Sequence, residues 1–276
     1  MTVEKLLKTI LLYIILIIGV SIFIAPFYFV IINSLKTNSE YLVSKLVLPS
    51  SFYLDNYVAT IEMMKYGKTL LNSIIITAFS VFGILVIASM AAYKIARTKG
   101  ILNTILFFLF LSVFVVPFQS VMIPIVVMAR RLSLMNKLYG MVLVYLGLVS
   151  PTAIFLYRGF IQTIPLSLEE CAQIDGASVY QIFFRIVLPL LKPITSTIII
   201  LLGLQIWNDF LLPLLMLQTP KNYTLPLATM RFFQTYNTAW GNILAATVLS
   251  SIPMIILFFS AQKQIVQGVT SGAIKG

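Results

Sequence analysis

The sequence predicts an all-α protein that crosses a membrane about six times. Three observations carry the prediction. Of the 276 residues, 60% are hydrophobic and only 10% are charged, against about 25% charged in soluble domains. The mean hydropathy is +1.02. Charge-free runs recur at a length that suits a roughly 30 Å hydrocarbon core, which needs about 20 apolar residues of helix. Lipid leaves no unpaired backbone group satisfied, so each run is read as a helix.

The opening run, "MTVEKLLKTILLYIILIIGVSIFIAPFYFVIIN", exceeds the roughly 7–15 apolar residues of a signal peptide, and no small-x-small cleavage site follows. It is read as a permanent span over 10–32. A loop at 33–69 follows, broken by Pro49 and the Ser50–Ser51 pair, with a short amphipathic helix after them. Further spans are expected over 70–93, 103–127, 138–158, 194–217 and 241–262. Pro26, Pro117, Pro124, Pro151, Pro213 and Pro253 lie within these runs. Each removes a backbone donor, so kinks are expected.

Domain organisation follows from these runs. Residues 1–65 form the first span and its loop, 66–265 the main membrane domain, and 266–276 a terminal tail. Lys/Arg counts barely decide orientation, with ten on one side and nine on the other. Lys5 and Lys8 before the first span, and Lys94, Arg97 and Lys99 after the second, favour a cytoplasmic N-terminus. The Arg130–Arg131 pair argues against it.

The net charge of +11 fits contact with anionic lipid head groups and not nucleic acid. There is one cysteine, Cys171, and no histidine. That removes disulfides, zinc sites and a Cys–His dyad, so no enzyme activity and no metal are expected. No cofactor is expected on the chain either, since it carries no P-loop.

Against this background the stretch "SLEECAQIDGASVYQIFFRIVLPLLKP" at 167–193 stands apart. It holds Glu169, Glu170 and Asp175, three of only eight acidic residues. Adjacent glutamates on a helix point about 100° apart, which does not suit acid-pair catalysis. Pro165 stops the preceding helix. Ser167 with Glu170 three residues later spells a capping box, so a helix is expected to begin there. Gly176 is placed to end it. A second helix then carries Val179, Ile182, Phe183, Ile186 and Leu190 along one face. On physics alone an interfacial connector reads as well as a functional device.

The spacing resembles the EAA loop of ABC importer membrane subunits: E-A-A, three residues, G, nine residues, I-x-L-P. Here Glu170, Cys171 and Ala172 precede Gly176, and Ile186, Leu188 and Pro189 fall at the required places. Asp175 and Ala177 complete the "DGA" at the turn, and Cys171 replaces the central alanine. The tail "QKQIVQGVTSGAIKG", "WNDFLLPLL" from Trp207 and "LDNY" from Leu54 resemble the MalG-like carbohydrate permeases. The resemblance covers essentially the whole chain. It implies a type I importer transmembrane domain whose coupling loop, 165–193, inserts its first helix into a cleft of a separate ATPase. Glu169, Glu170, Cys171, Ala172, Asp175, Gly176, Ala177, Ile186 and Pro189 are the docking residues it implies.

It also implies the partners: two ATPase subunits that hold the ATP and Mg, a second, MalF-like permease, an extracellular solute-binding protein and a sugar. The loop 218–240, with "NYTLPLA", would touch the binding protein, and the tail would reach between the ATPases. Glycerol phosphate or a polyamine is the alternative solute class.

Polar residues inside spans mark the candidate solute path. They are Gln119 in the third span and Gln205, Trp207, Asn208 and Asp209 in the fifth. An indole beside amides suits a pyranose ring, and equally an outer-interface anchor. The competing class is a self-sufficient secondary transporter. It calls for paired intramembrane charges, and Asp209 is the one acid within a span.

Overall fold

The computed structural model describes residues 3–235 and 239–273, and every regular element among them is helical. In chain order these are α1 (Val3–Ser34), α2 (Asn38–Val43), α3 (Asp55–Met63), α4 (Tyr66–Arg97), α5 (Ile101–Ser112) and α6 (Phe118–Arg131). Then come α7 (Leu138–Ile161), α8 (Ser167–Ile174), α9 (Val179–Leu190) and α10 (Lys192–Asn208). The last are α11 (Leu211–Met216), a 3-10 turn at Pro220–Asn222, α12 (Leu225–Thr235) and α13 (Trp240–Ala273). The chain forms two compact units, one of Met1–Gly67 with Ala228–Pro253 and one of Lys68–Leu227 with Met254–Gly276.

In the first unit, α1 exposes apolar side chains along nearly its whole length, as a lipid-facing helix does. Its end is held by a polar knot. Asn56 Nδ2 donates to the carbonyls of Ser34 and Lys36, at 2.9 and 2.8 Å. The fully buried Lys36 donates through Nζ to Asn33 Oδ1 and the Ser44 carbonyl, at 3.0 and 2.9 Å. The bond to the Ser34 carbonyl satisfies one of the acceptors that a helix C-terminus leaves open. Gly241 is required beside this knot, because a Cβ there would lie 2.5 Å from Asn56 Nδ2.

In the second unit α7 packs against α5 and α10. The core holds Ile84, Ala88, Ala92, Met141, Ala153, Ile161, Val187, Leu191, Ile198 and Leu202, all essentially inaccessible. Lipid is as apolar as these side chains, so close packing by small residues such as Ala88, Ala92 and Ala153 supplies the cohesion.

The helices α1, α4 and α7 are each long and apolar enough to span a membrane. The third and fifth expected spans are not continuous. The run over 103–127 breaks between α5 and α6, where Pro117 adopts φ −61° and ψ 139°. Proline lacks the donor and disfavours helical backbone in the residue before it. The run over 194–217 breaks at Asp209, which is extended. By contrast Pro26, Pro124, Pro151 and Pro253 sit inside helices that continue past them. The loop at 33–69 contains the helix expected after its Ser pair, α3, and also α2, which opens at Thr37, whose side chain accepts from the Glu40 N–H.

Candidate functional site: a helical elbow and a cavity

The segment 165–193 folds as two helices joined at glycine. The α8 terminus is a Schellman motif. The Ala177 N–H donates to the Ala172 carbonyl at 2.9 Å, and the Gly176 N–H to the Gln173 carbonyl at 3.0 Å. Gly176 has φ +83° and open space around its Cα. The left-handed backbone, and not crowding, is what calls for glycine. Ala172 and Ala177 both pack against the core beneath this turn.

The helix start differs from expectation. Leu166 takes the N-cap position without a side-chain bond, and Ser167 lies inside the helix. The N–H groups of Glu169 and Glu170 already reach the Leu166 carbonyl, at 2.9 and 3.1 Å, so nothing remains for Ser167 to cap. The capping box sits instead at Ser178 and Gln181, which exchange side-chain and backbone bonds of 2.7 and 3.3 Å. The signal S-x-x-Q was present there.

The second helix buries Ile182 and Phe183 as expected and departs from the expected face beyond them. Ile182, Phe183, Val187 and Leu191 are buried, whereas Val179 and Leu190 are exposed and Ile186 is half-buried. A π-helical turn at Phe183–Val187 causes the shift, with the Leu188 N–H bonding the Phe183 carbonyl. Pro189, which is exposed, removes a donor at this point and would crowd the carbonyl four residues back; the wider turn relieves both. Immediately after it, α9 and α10 meet at a 72° bend.

The acidic residues separate. Glu170, Cys171, Asp175 and Gly176 are exposed together, flanked by exposed Leu168 and Ile174, the latter 85% accessible. Glu169 turns inward and is buried. Its Oε1 accepts from Arg97 Nε at 2.8 Å and its Oε2 from Tyr93 Oη at 2.8 Å. Arg97 and Tyr93 lie one turn apart on α4. That i, i+4 spacing was visible, but Arg97 read only as an orientation signal. A cavity of about 690 Å³ lies beside this contact, lined by Tyr93, Lys94, Gln173 and Tyr180 among others.

A second cavity, also about 690 Å³, lies in the same unit at the break between α10 and α11. It gathers Gln205, Asn208 and Asp209 with Tyr145, Thr152 and a wall of Val113, Val116 and Leu148. Two candidates fall outside it. Gln119 is exposed on α6, and Trp207 is buried in the packing at 8% accessibility, so its ring has no face free for a sugar. Asp209 is engaged at both oxygens. Oδ1 accepts the N–H groups of Leu211 and Leu212 at 2.9 and 3.4 Å, and Oδ2 accepts from Tyr145 Oη at 2.9 Å. Tyr145 and Thr152 had no sequence signal, being single polar groups in an apolar run. The tail 262–276 continues α13 as far as Ala273; its side chains and residues 274–276 lie outside the described residues.

Several apolar helices, three of them long enough to span a membrane, and a strand-free core among the described residues define a polytopic membrane protein. The family described as binding-protein-dependent transport system inner membrane component matches residues 83–271, and the chain belongs to that family. It is a membrane-embedded transport component, not an enzyme, and such components work with a solute-binding protein and ATPase partners.

The chain is 38% identical over 254 residues to a probable starch degradation products transport system permease protein, AmyC, of Thermoanaerobacterium thermosulfurigenes, covering 92% of each. It is 37% identical to the melibiose/raffinose/stachyose import permease protein MelC of Bacillus subtilis, covering 91% of each. A solved bacterial ABC transporter involved in alginate import shares the fold, with a TM-score of 0.83 at 21% identity, covering 95% of this chain and 98% of that one.

Proposed function

We propose that this chain is one of two unlike permease subunits of an importer for a sugar or oligosaccharide, driven through the elbow at 165–193. The single observation that carries the reading is the exposed set Glu170, Cys171, Asp175 and Gly176 on a short, glycine-terminated helix. An acidic, partly apolar helix whose outer face is exposed is suited to enter a cleft on a soluble partner. Glu170 offers its carboxylate to a basic or polar group there. The names of the relatives support a carbohydrate as solute.

The cavity at Gln205, Asn208 and Thr152 supplies amide and hydroxyl groups of the kind that bond sugar hydroxyls, on an apolar wall. In this reading the N-terminus and the elbow are cytoplasmic, and the segment expected as the loop 218–240, which contains α12, faces the binding protein.

The test is reconstitution in vesicles with the ATPase pair, the second permease and the binding protein. The complete assembly takes up labelled raffinose or a malto-oligosaccharide when ATP is supplied, and the chain alone moves neither. Glu170→Lys inserts normally but no longer co-purifies with the ATPase subunits, and uptake is lost. Uptake by the lone chain, or normal co-purification of the variant, contradicts the proposal.

A further inference from the structure

Glu169 and Glu170 are neighbours in sequence, and the fold sends them opposite ways. Glu170 lies exposed on the docking face, while both oxygens of Glu169 are held by α4. The hold extends further. Arg97 Nη2 donates to the Ile164 carbonyl at 2.9 Å, just beyond the end of α7. One guanidinium thus joins the last turn of α4, the exit of α7 and the first turn of α8. The ring of Tyr93 lies 5.2 Å from that of Phe183, which brings in α9.

Cohesion alone does not call for such a device. A buried ion pair gains little over apolar packing, because desolvation offsets the Coulombic attraction. What a forked, three-bond contact adds is fixed orientation. The surroundings make orientation matter. The cavity between α4 and the elbow, lined by Met90, Lys94, Thr98, Gln173 and Tyr180, leaves part of that interface unfilled by side chains. A push on the exposed face of α8 would be taken up by closure of this gap unless a stiff polar contact bridges it.

We infer that the Glu169–Arg97–Tyr93 contact is the strut that passes displacement of the elbow to α4. Glu169 is then a positioning residue of the membrane domain and not a docking residue. The inference rests on the reading of 165–193 as the ATPase-docking loop.

The test uses the complete assembly and hydrogen exchange, with and without ATP and vanadate to trap the closed ATPase pair. In the unaltered assembly, trapping changes exchange in both the elbow and residues 90–98 at the C-terminal end of α4, by roughly fivefold or more at the latter. In Glu169→Gln the ATPase subunits remain bound and the elbow still responds, while the ratio at 90–98 falls to about one. Tyr93→Phe keeps the ion pair and removes one hydroxyl, so it guards against misfolding of the first variant; it gives an intermediate ratio.

Three results overturn the inference: no response of α4 in the unaltered assembly, an undiminished response in both variants, or loss of the ATPase subunits from Glu169→Gln. Failure of the docking reading shows separately, as retention of the ATPase subunits by Glu170→Lys.

Discussion

The second unit contains two places where a carboxylate meets a tyrosine hydroxyl from a spanning helix. At the elbow Tyr93 donates to Glu169 at 2.8 Å; at the far end of α10 Tyr145 donates to Asp209 at 2.9 Å. The remaining partners differ. Glu169 also receives a guanidinium that is bonded to a third segment. Asp209 receives only the N–H groups of Leu211 and Leu212, close by on its own chain. The first arrangement ties separate helices together, and the second fixes a local bend. The same chemical pair therefore serves transmission in one region and shape in the other, and the partner list, not the residue type, tells them apart.

The largest stability effect that separates the two regions is expected at the bend. Asp209→Ala leaves two N–H groups and the Tyr145 hydroxyl without their acceptor, which costs about 2–3 kcal/mol. Thermal unfolding of the purified complex measures it. Asp209→Asn can still cap α11 and loses less. If the two variants are equally damaged, the negative charge matters beyond the bend, and the contrast between the two regions fails.

A smaller effect is expected at the elbow turn. Gly176→Ala forces a side chain into left-handed backbone at about 1–2 kcal/mol. It speeds chymotryptic cleavage at the exposed Tyr180 in the free chain. Gly176→Asn is damaged less, since asparagine tolerates that conformation. Equal cleavage rates for the unaltered chain and the Gly176→Ala variant would remove the reason for glycine.

Much of this was legible in the sequence. The apolar runs located the helices, because lipid permits little else. Gly176 declared itself through its place after a short helix. Glu170 and Cys171 are exposed, as the proposed docking role requires. What was hidden depends on which way a side chain turns once helices pack. Glu169 reads like Glu170 until Arg97, 72 residues earlier, is brought beside it. Trp207 reads as a sugar platform until its burial is known.

The face of α9 departs from expectation beyond Phe183 because a π turn shifts the register by one residue, and only Pro189 hinted at it. The S-x-x-E at Ser167 and the S-x-x-Q at Ser178 are equivalent as patterns. The first failed because the Leu166 carbonyl already accepts the N–H groups of Glu169 and Glu170. The broken third and fifth spans were likewise masked, because the runs across Pro117 and Asp209 are apolar enough as a whole to read as single helices.

The most direct test of the account uses the chain's own chemistry. Cys171 is the only cysteine and is exposed on α8, so a maleimide reports on that surface with no substitution at all. Free in detergent, the chain labels rapidly. Assembled with its ATPase subunits, it is protected by roughly tenfold or more in rate. Equal labelling in the two states would mean that the elbow carries no partner.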